Sequence, residues 1–307
     1  MNSPTKILPH DCTAWRRSSQ AAADLYDSGV KLWTKQGLKD VEQQLEDLKS
    51  RQVFSIRSID GTFVHIENPM FNVTSPIWKP QVDFRDYWRL VKDQPVEPAE
   101  TWYCTMVPEW FNTSAGHLCS SLPNLDSLFE ENRRAWAESD SRQLLTSQLR
   151  QLSSVKAVRK ILCFGLGDFC ANPPEWMRRE SGMEPAELER SFVSKAMLQH
   201  CISLTLREIC SDLAGYEVQL FAQDPRYTDE TVSMLSSNDC SIVGEFSAGG
   251  FAEIDDGSLI FSAFIGAPLK QIIADLARPA IIIETGYGVL NNSMQVAQET
   301  FAMNLAN

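Results

Sequence analysis

The sequence predicts an α/β protein: a Rossmann-like, doubly wound, mostly parallel sheet preceded by an α+β N-terminal extension. Three observations predict it. Five short apolar runs, at 161–166, 217–222, 241–245, 259–264 and 280–284, alternate mostly with segments of helical periodicity, and strands separated by helices pair in parallel. Two of these runs, 161–164 and 280–283, are almost continuously apolar, as strands buried on both faces must be. The first run breaks into Gly165 and Gly167 and ends on Asp168, a turn that lets backbone or ligand come close at the mouth of an α/β site.

The N-terminal half has a different texture. Leu25, Leu32, Leu38, Val41, Leu45 and Leu48 recur at helical spacing through 11–50, with Gly29 and Gly37 expected to break the helix into pieces. Residues 52–66 alternate around Asp60 and Gly61, a hairpin signal. From 68 to 125 prolines interleave with Trp78, Trp88, Trp102 and Trp110. Such a run excludes long helices but carries large burial area, so it is expected to form an ordered cover, as a lid or one wall of a pocket. The expected domains are therefore 1–150, the extension and cover, and 151–307, the sheet domain.

In the second half, helices are expected at 186–213, 228–236, 268–276 and 292–303. Ligands of such sheets bind at the carboxyl ends of the strands, which selects Gly165, Gly167 and Asp168, then Gln223, Asp224 and Pro225, Glu245 and Phe246, residues 263–266, and Glu284 and Thr285. Asp168, His200, Asp224 and Glu245 are the candidate catalytic residues, because carboxylates and an imidazole converging on one rim are acid–base equipment. Gly165, Gly167, Asp255, Asp256 and Glu284 are the candidate substrate contacts. Asp224 also reads as part of a helix cap, His200 as a core or surface residue of its helix, and the pair Asp255 and Asp256 as an Asx turn. A dinucleotide fingerprint is incomplete, since Phe169 and Cys170 stand where a third glycine belongs.

Composition sets the surroundings. The 307 residues are 43% hydrophobic and 22% charged, enough to bury a core. No apolar run approaches the roughly 20 residues of a membrane span, and residues 1–6 are polar. A cytoplasmic protein without membrane partner is expected. Eight cysteines without a CxxC pair favour reduced, buried thiols over a zinc site, so neither metal nor other cofactor is expected. A net charge of −12 opposes nonspecific coating of nucleic acid and gives no reason to expect DNA as a partner. Between 131 and 160, however, basic residues outnumber acidic ones by four, either a solvated helix face or a footprint for an anionic substrate.

The segments KILCFGLGD (160–168), QH (199–200), FAQDPRYT (221–228), Asp255 with Asp256, and PLKQIIAD (268–275) occur in this order. Together they resemble the sensitivity-to-red-light-reduced family in its fungal form, a regulatory family. The chain more distantly resembles the fungal arginine-containing cyclodipeptide synthases of secondary metabolism. That second resemblance implies an aminoacyl-tRNA-dependent transferase, with charged tRNA as partner and amino acids as substrate. The acidic rim would hold an arginine guanidinium, the aromatic cover the second side chain, and Arg150, Lys156, Arg159 and Lys160 the tRNA backbone. The group's signature of two aspartates and a glutamate three positions on is incomplete, as Gly257, Ser258 and Leu259 follow Asp256. A noncatalytic regulatory protein and a methyltransferase-like enzyme, whose site also opens on a strand ending in two glycines, are the alternatives.

Overall fold

The structure is a computed structural model that describes residues 16–74, 76–92, 103–113 and 122–284. Trp102, Thr285 and the helix expected at 292–303 lie outside the described residues. In chain order the elements begin with α1 (Arg16–Asp27), α2 (Lys35–Glu46), β1 (Val53–Arg57), β2 (Phe63–Glu67), β3 (Trp78–Phe84), α3 (Tyr87–Lys92) and β4 (Met106–Asn112). There follow α4 (Leu125–Ala137), α5 (Asp140–Gln151), a 3-10 turn (Ser153–Ala157), β5 (Lys160–Phe164), α6 (Glu175–Glu180) and α7 (Pro185–Ala214). The last are β6 (Gln219–Gln223), α8 (Asp229–Ser236), β7 (Cys240–Ile242), α9 (Gly249–Ala252), β8 (Ser258–Ser262), α10 (Leu269–Leu276) and β9 (Ile281–Glu284).

Two compact units divide these elements: the described residues up to Phe111 with Gly266–Ala277, and those from Asn112 to Ile265 with Arg278–Glu284. In the first, α2 buries Leu38, Val41 and Leu45, one stripe of the helix. Gly29, at φ +94°, follows the end of α1 as expected. Gly37 does not break the helix: it lies in the first turn of α2, where its amide donates to the capping Thr34 hydroxyl at 3.1 Å. The expected hairpin forms, β1 and β2 pairing antiparallel with Phe54 opposite Ile66. Asp60 closes its turn by accepting from the Thr62 amide at 2.9 Å. The Pro/Trp-rich run holds β3 and β4, which pair as a second two-stranded sheet. Helix α10 belongs to this unit, and its Asp275 carboxylate accepts from the Leu32 and Trp33 amides at 2.7 and 3.0 Å.

The second unit is built on a five-stranded parallel sheet in the order β7-β6-β5-β8-β9. From the central β5 the chain steps outward to β7, then returns to β8 on the other side. Residues 161–164 of β5 and all of β8 are buried, which requires cover on both faces. Ile161, Cys163, Leu259 and Phe261 enter one core with Phe129, Trp136, Met197 and Leu206 of α4 and α7. Phe164 faces the other way and stacks on Phe251 of α9 at 4.6 Å.

The sheet unit begins at Asn112, before the boundary expected at 151. Its physical reason is that α4 and α5 supply Leu128, Phe129, Trp136 and Leu149 to the sheet core, and the Trp136 indole donates to the buried Thr205 hydroxyl of α7 at 2.9 Å. Strand β7 is shorter than expected and stops at Ile242, and β8 stops at Ser262. Among the described residues no helix is long and apolar enough to cross a membrane.

Candidate functional site

The carboxyl end of β5 is where the order of the sheet reverses, and its turn is fixed from three sides. Gly165 adopts φ +65°, and a Cβ on it would lie 1.8 Å from the Phe264 carbonyl oxygen. The Phe264 amide donates to the Gly165 carbonyl at 3.1 Å, so the glycine serves a main-chain contact between the loops after β5 and β8. Gly167, at φ +84°, lies where a Cβ would come 3.1 Å from that of Ala196 on α7. Its amide donates to Asp224 Oδ2 at 3.3 Å, and its carbonyl meets His200 Nε2 at 3.2 Å.

Asp168 is buried and its oxygens are occupied. Oδ2 accepts from the Thr228 amide at 2.6 Å and the Thr228 hydroxyl at 3.0 Å, while Oδ1 accepts from the Cys170 amide at 2.7 Å. The adjoining Phe169 amide donates to the fully buried Thr231 hydroxyl at 3.0 Å. Asp168 is thus a clamp between the β5 loop and the start of α8. The capping side chain there is Thr228, whose hydroxyl accepts from the Thr231 amide at 3.4 Å. Asp224 is not the cap. It accepts from the Arg226 amide at 3.0 Å and from Gly167, leaving two of the roughly four acceptor positions of a carboxylate unused by these bonds. Half-buried beside the glycine turn, its pKa is raised, chiefly by desolvation. The Arg226 and Gly167 amides oppose the rise and the Asp168 charge adds to it.

His200 packs behind the turn, as its helical stripe allows. Because a carbonyl only accepts, the contact with Gly167 places the imidazole proton on Nε2, which also lies 3.3 Å from the Tyr227 hydroxyl. Nδ1 is buried without a hydrogen-bond partner among the described residues. The ring meets Phe169 edge-on at 4.9 Å. Burial lowers its pKa to about 4 against the pull of the Gly167 carbonyl, so it is neutral at pH 7. It touches Gly167 and Tyr227. Burial raises the Tyr227 hydroxyl well above the ordinary value, the Asp224 charge adding to it. Tyr227 is the site residue that sequence reasoning missed, while Phe264 belongs to the 263–266 segment expected at the strand ends. Tyr227 stands inside the FAQDPRYT segment, but a side chain 27 residues away from a histidine in sequence gives no signal before folding.

The remaining expected site residues fall in three places. Glu245 follows the end of β7 by three residues, after a turn at Gly244 (φ +64°), and is exposed. Glu284 ends β9 level with Ser262 and stays on the carboxyl edge, half-buried. Asp255 and Asp256 lie at the opposite, amino-terminal edge, since they precede β8 and its first residue pairs with Lys160, the first of β5. Asp255 forms the Asx turn, accepting from the Gly257 amide and the Ser258 hydroxyl at 2.9 and 3.0 Å, and Asp256 accepts from the Arg278 amide at 2.8 Å. They are therefore not contacts of a ligand at the glycine turn.

Lys160 pairs with Asp255 at 3.0 Å and lies 3.7 Å from Glu253, with a side chain 16% exposed. It is an edge ion pair rather than an open phosphate contact. The pairing, with hydrogen bonds from Ser258 and Gly257, outweighs desolvation and lowers the Asp255 pKa. Arg150, Lys156 and Arg159 are exposed. Cys104, Cys163, Cys170, Cys201, Cys210 and Cys240 are free and buried, and burial pushes the Cys201 and Cys240 thiols up to about 12, which removes them as nucleophiles. Among the described residues no group of three or more His, Cys, Asp or Glu side chains is placed to hold a metal ion.

A family model described as the SRR1 domain matches residues 144–302. This range covers the whole sheet and the glycine turn. No curated protein and no solved structure matches the chain.

Proposed function

The chain belongs to the SRR1 domain family, and from that premise we propose that its carboxyl edge is the ligand site of a Rossmann-like domain that recognises a cationic aminoacyl group. The single observation that carries this reading is Asp224: a half-buried carboxyl of raised pKa at the reversal point of the sheet, held by two amides and with acceptor capacity left over. A guanidinium is the planar, bidentate partner that fits such a group, and its charge would offset the desolvation that raises the pKa. The finer reading is an aminoacyl-tRNA-dependent transferase that joins arginine to a second amino acid in a cyclodipeptide. Each amide would form by attack of an amine on an aminoacyl ester, with release of a tRNA hydroxyl. Arg150, Lys156 and Arg159 would meet the tRNA backbone, without Lys160.

A second reading, a noncatalytic regulatory protein of the same family, is favoured by a different observation. The Asp168 oxygens and the glycine turn are engaged in internal contacts. A methyltransferase-like site has less support, because the space at Gly165 that a cofactor would approach is filled by the Phe264 carbonyl.

Incubation of the purified protein with arginyl-tRNA and a mixture of other charged tRNAs, read by mass spectrometry, separates the two. The transferase reading expects arginine-containing cyclodipeptides from the wild type, and a drop of ten- to a hundredfold in Asp224→Asn with an unchanged melting temperature. That range corresponds to loss of about 1.4 to 3 kcal/mol from a charged contact. No product from the wild type gives the assignment to the regulatory reading.

A further inference from the structure

We infer that Tyr227 is a ligand-contacting residue of the carboxyl edge, whose hydroxyl donates its hydrogen to an oxygen that the ligand carries beside the cationic group received by Asp224. The protons around His200 require such an acceptor. Nε2 of His200 lies 3.2 Å from the Gly167 carbonyl oxygen and 3.3 Å from the Tyr227 hydroxyl. A carbonyl offers only lone pairs, so the single proton of the neutral ring is on Nε2. The opposite tautomer would set lone pair against lone pair at Gly167 and bury an N–H at Nδ1, which has no partner among the described residues. Once protonated, Nε2 has no lone pair to offer. The Tyr227 oxygen therefore accepts from the imidazole, and its own hydrogen is left over. Among the described residues no other group takes it.

Asp224 and Tyr227 are the first and last residues of one tight turn, closed by the Tyr227 amide donating to the Asp224 carbonyl at 3.2 Å. Aspartate at its start and Pro225 next are the residues that a type I turn favours, and such a turn holds its end Cα atoms within about 7 Å. The Tyr227 ring is half-buried, packs against the sheet core and lies 5.7 Å from the His200 ring between centroids, so its hydroxyl is held in place. A donor with its hydrogen unspent is thus rooted beside a carboxylate with acceptor positions unspent. Both are half-buried, where an unpaired polar group costs free energy until something pairs with it. The complement of this pair is a cation with a carbonyl or carboxyl oxygen a few bonds away. A plain amine or guanidine answers only the carboxylate. The inference rests on the reading of Asp224 as receptor of a cationic group and deepens it, because it adds an oxygen acceptor to what the ligand must carry.

Two probes isolate the donor: argininamide carries the carbonyl, and agmatine is the same molecule without its carboxamide. Calorimetric titration of the full chain should show argininamide binding about tenfold more tightly than agmatine, a difference of about 1.4 kcal/mol. Tyr227→Phe should bind both probes alike, at the wild-type affinity for agmatine, whereas Asp224→Asn should weaken both. Equal affinities in the wild type, or a preference that survives in Tyr227→Phe, overturns the role of Tyr227 and leaves the Asp224 reading in place. Binding of neither probe by the wild type overturns both. A measurement without ligand stands even if a variant fails to fold: nitrogen NMR of His200 in the wild type should show a protonated Nε2 and an unprotonated Nδ1. The reverse pattern would spend the Tyr227 hydrogen on the imidazole and overturn the inference.

Discussion

Acidification is expected to destabilise this protein through His200. The imidazole is fully buried, donates from Nε2 to the Gly167 carbonyl and has a pKa near 4, below its ordinary 6.5. An unfolded chain therefore binds a proton at this residue before the folded chain does. Stability contributed by the neutral ring is full above pH 6.5 and is lost as the pH falls toward 4. At 1.36 kcal/mol per pKa unit, the loss between pH 7 and pH 5 is about 2 kcal/mol, and about 3 kcal/mol by pH 4. Asp224 works in the opposite direction, since its raised pKa makes the folded state the better proton binder above pH 3.8. The difference between wild type and His200→Gln removes that contribution, because Asp224 is common to both and glutamine retains an amide donor for Gly167. Urea unfolding of both proteins at pH 7, 6, 5 and 4.5 reads the difference in slope. Parallel stability curves for the two proteins would refute the assignment of a buried, neutral imidazole.

Two further expectations concern the turn. Gly165→Ala should destabilise the protein by about 3 kcal/mol, the sum of a left-handed φ and an overpacked backbone contact, and lower the melting temperature by roughly 6–12 °C; a shift below about 2 °C would show that the Phe264 loop moves aside freely. Asp168→Ala strands the Thr228 amide and hydroxyl and the Cys170 amide, costing about 3 kcal/mol. Hydrogen exchange at the Cys170 and Thr228 amides should quicken, and unchanged protection at both would remove Asp168 from its clamping role.

Local pattern alone determined the sheet. The apolar runs at 161–164 and 280–283, the helix at 186–213 and the hairpin about Gly61 are set by side-chain periodicity and turn chemistry, which act between residues near in sequence. The glycine turn and Asp168 were legible for the same reason, as a strand end is a local event. What the carboxylates do was not legible. Asp168 and Asp224 are both acids after strands, yet one is saturated by Thr228 and Cys170 and the other retains acceptor capacity, a distinction made by hydrogen bonds across 57 and 60 residues of chain. Likewise Lys160 and Asp255 were a basic residue and an acidic one far apart in sequence until parallel pairing of β5 and β8 set them at one edge. That β7 ends at Ile242, before Glu245, and that the Phe264 backbone is pinned to Gly165 were also not legible in the sequence. Burial and long-range pairing assign the remaining acceptors and the exposed rings, and those exist only once the sheet has formed.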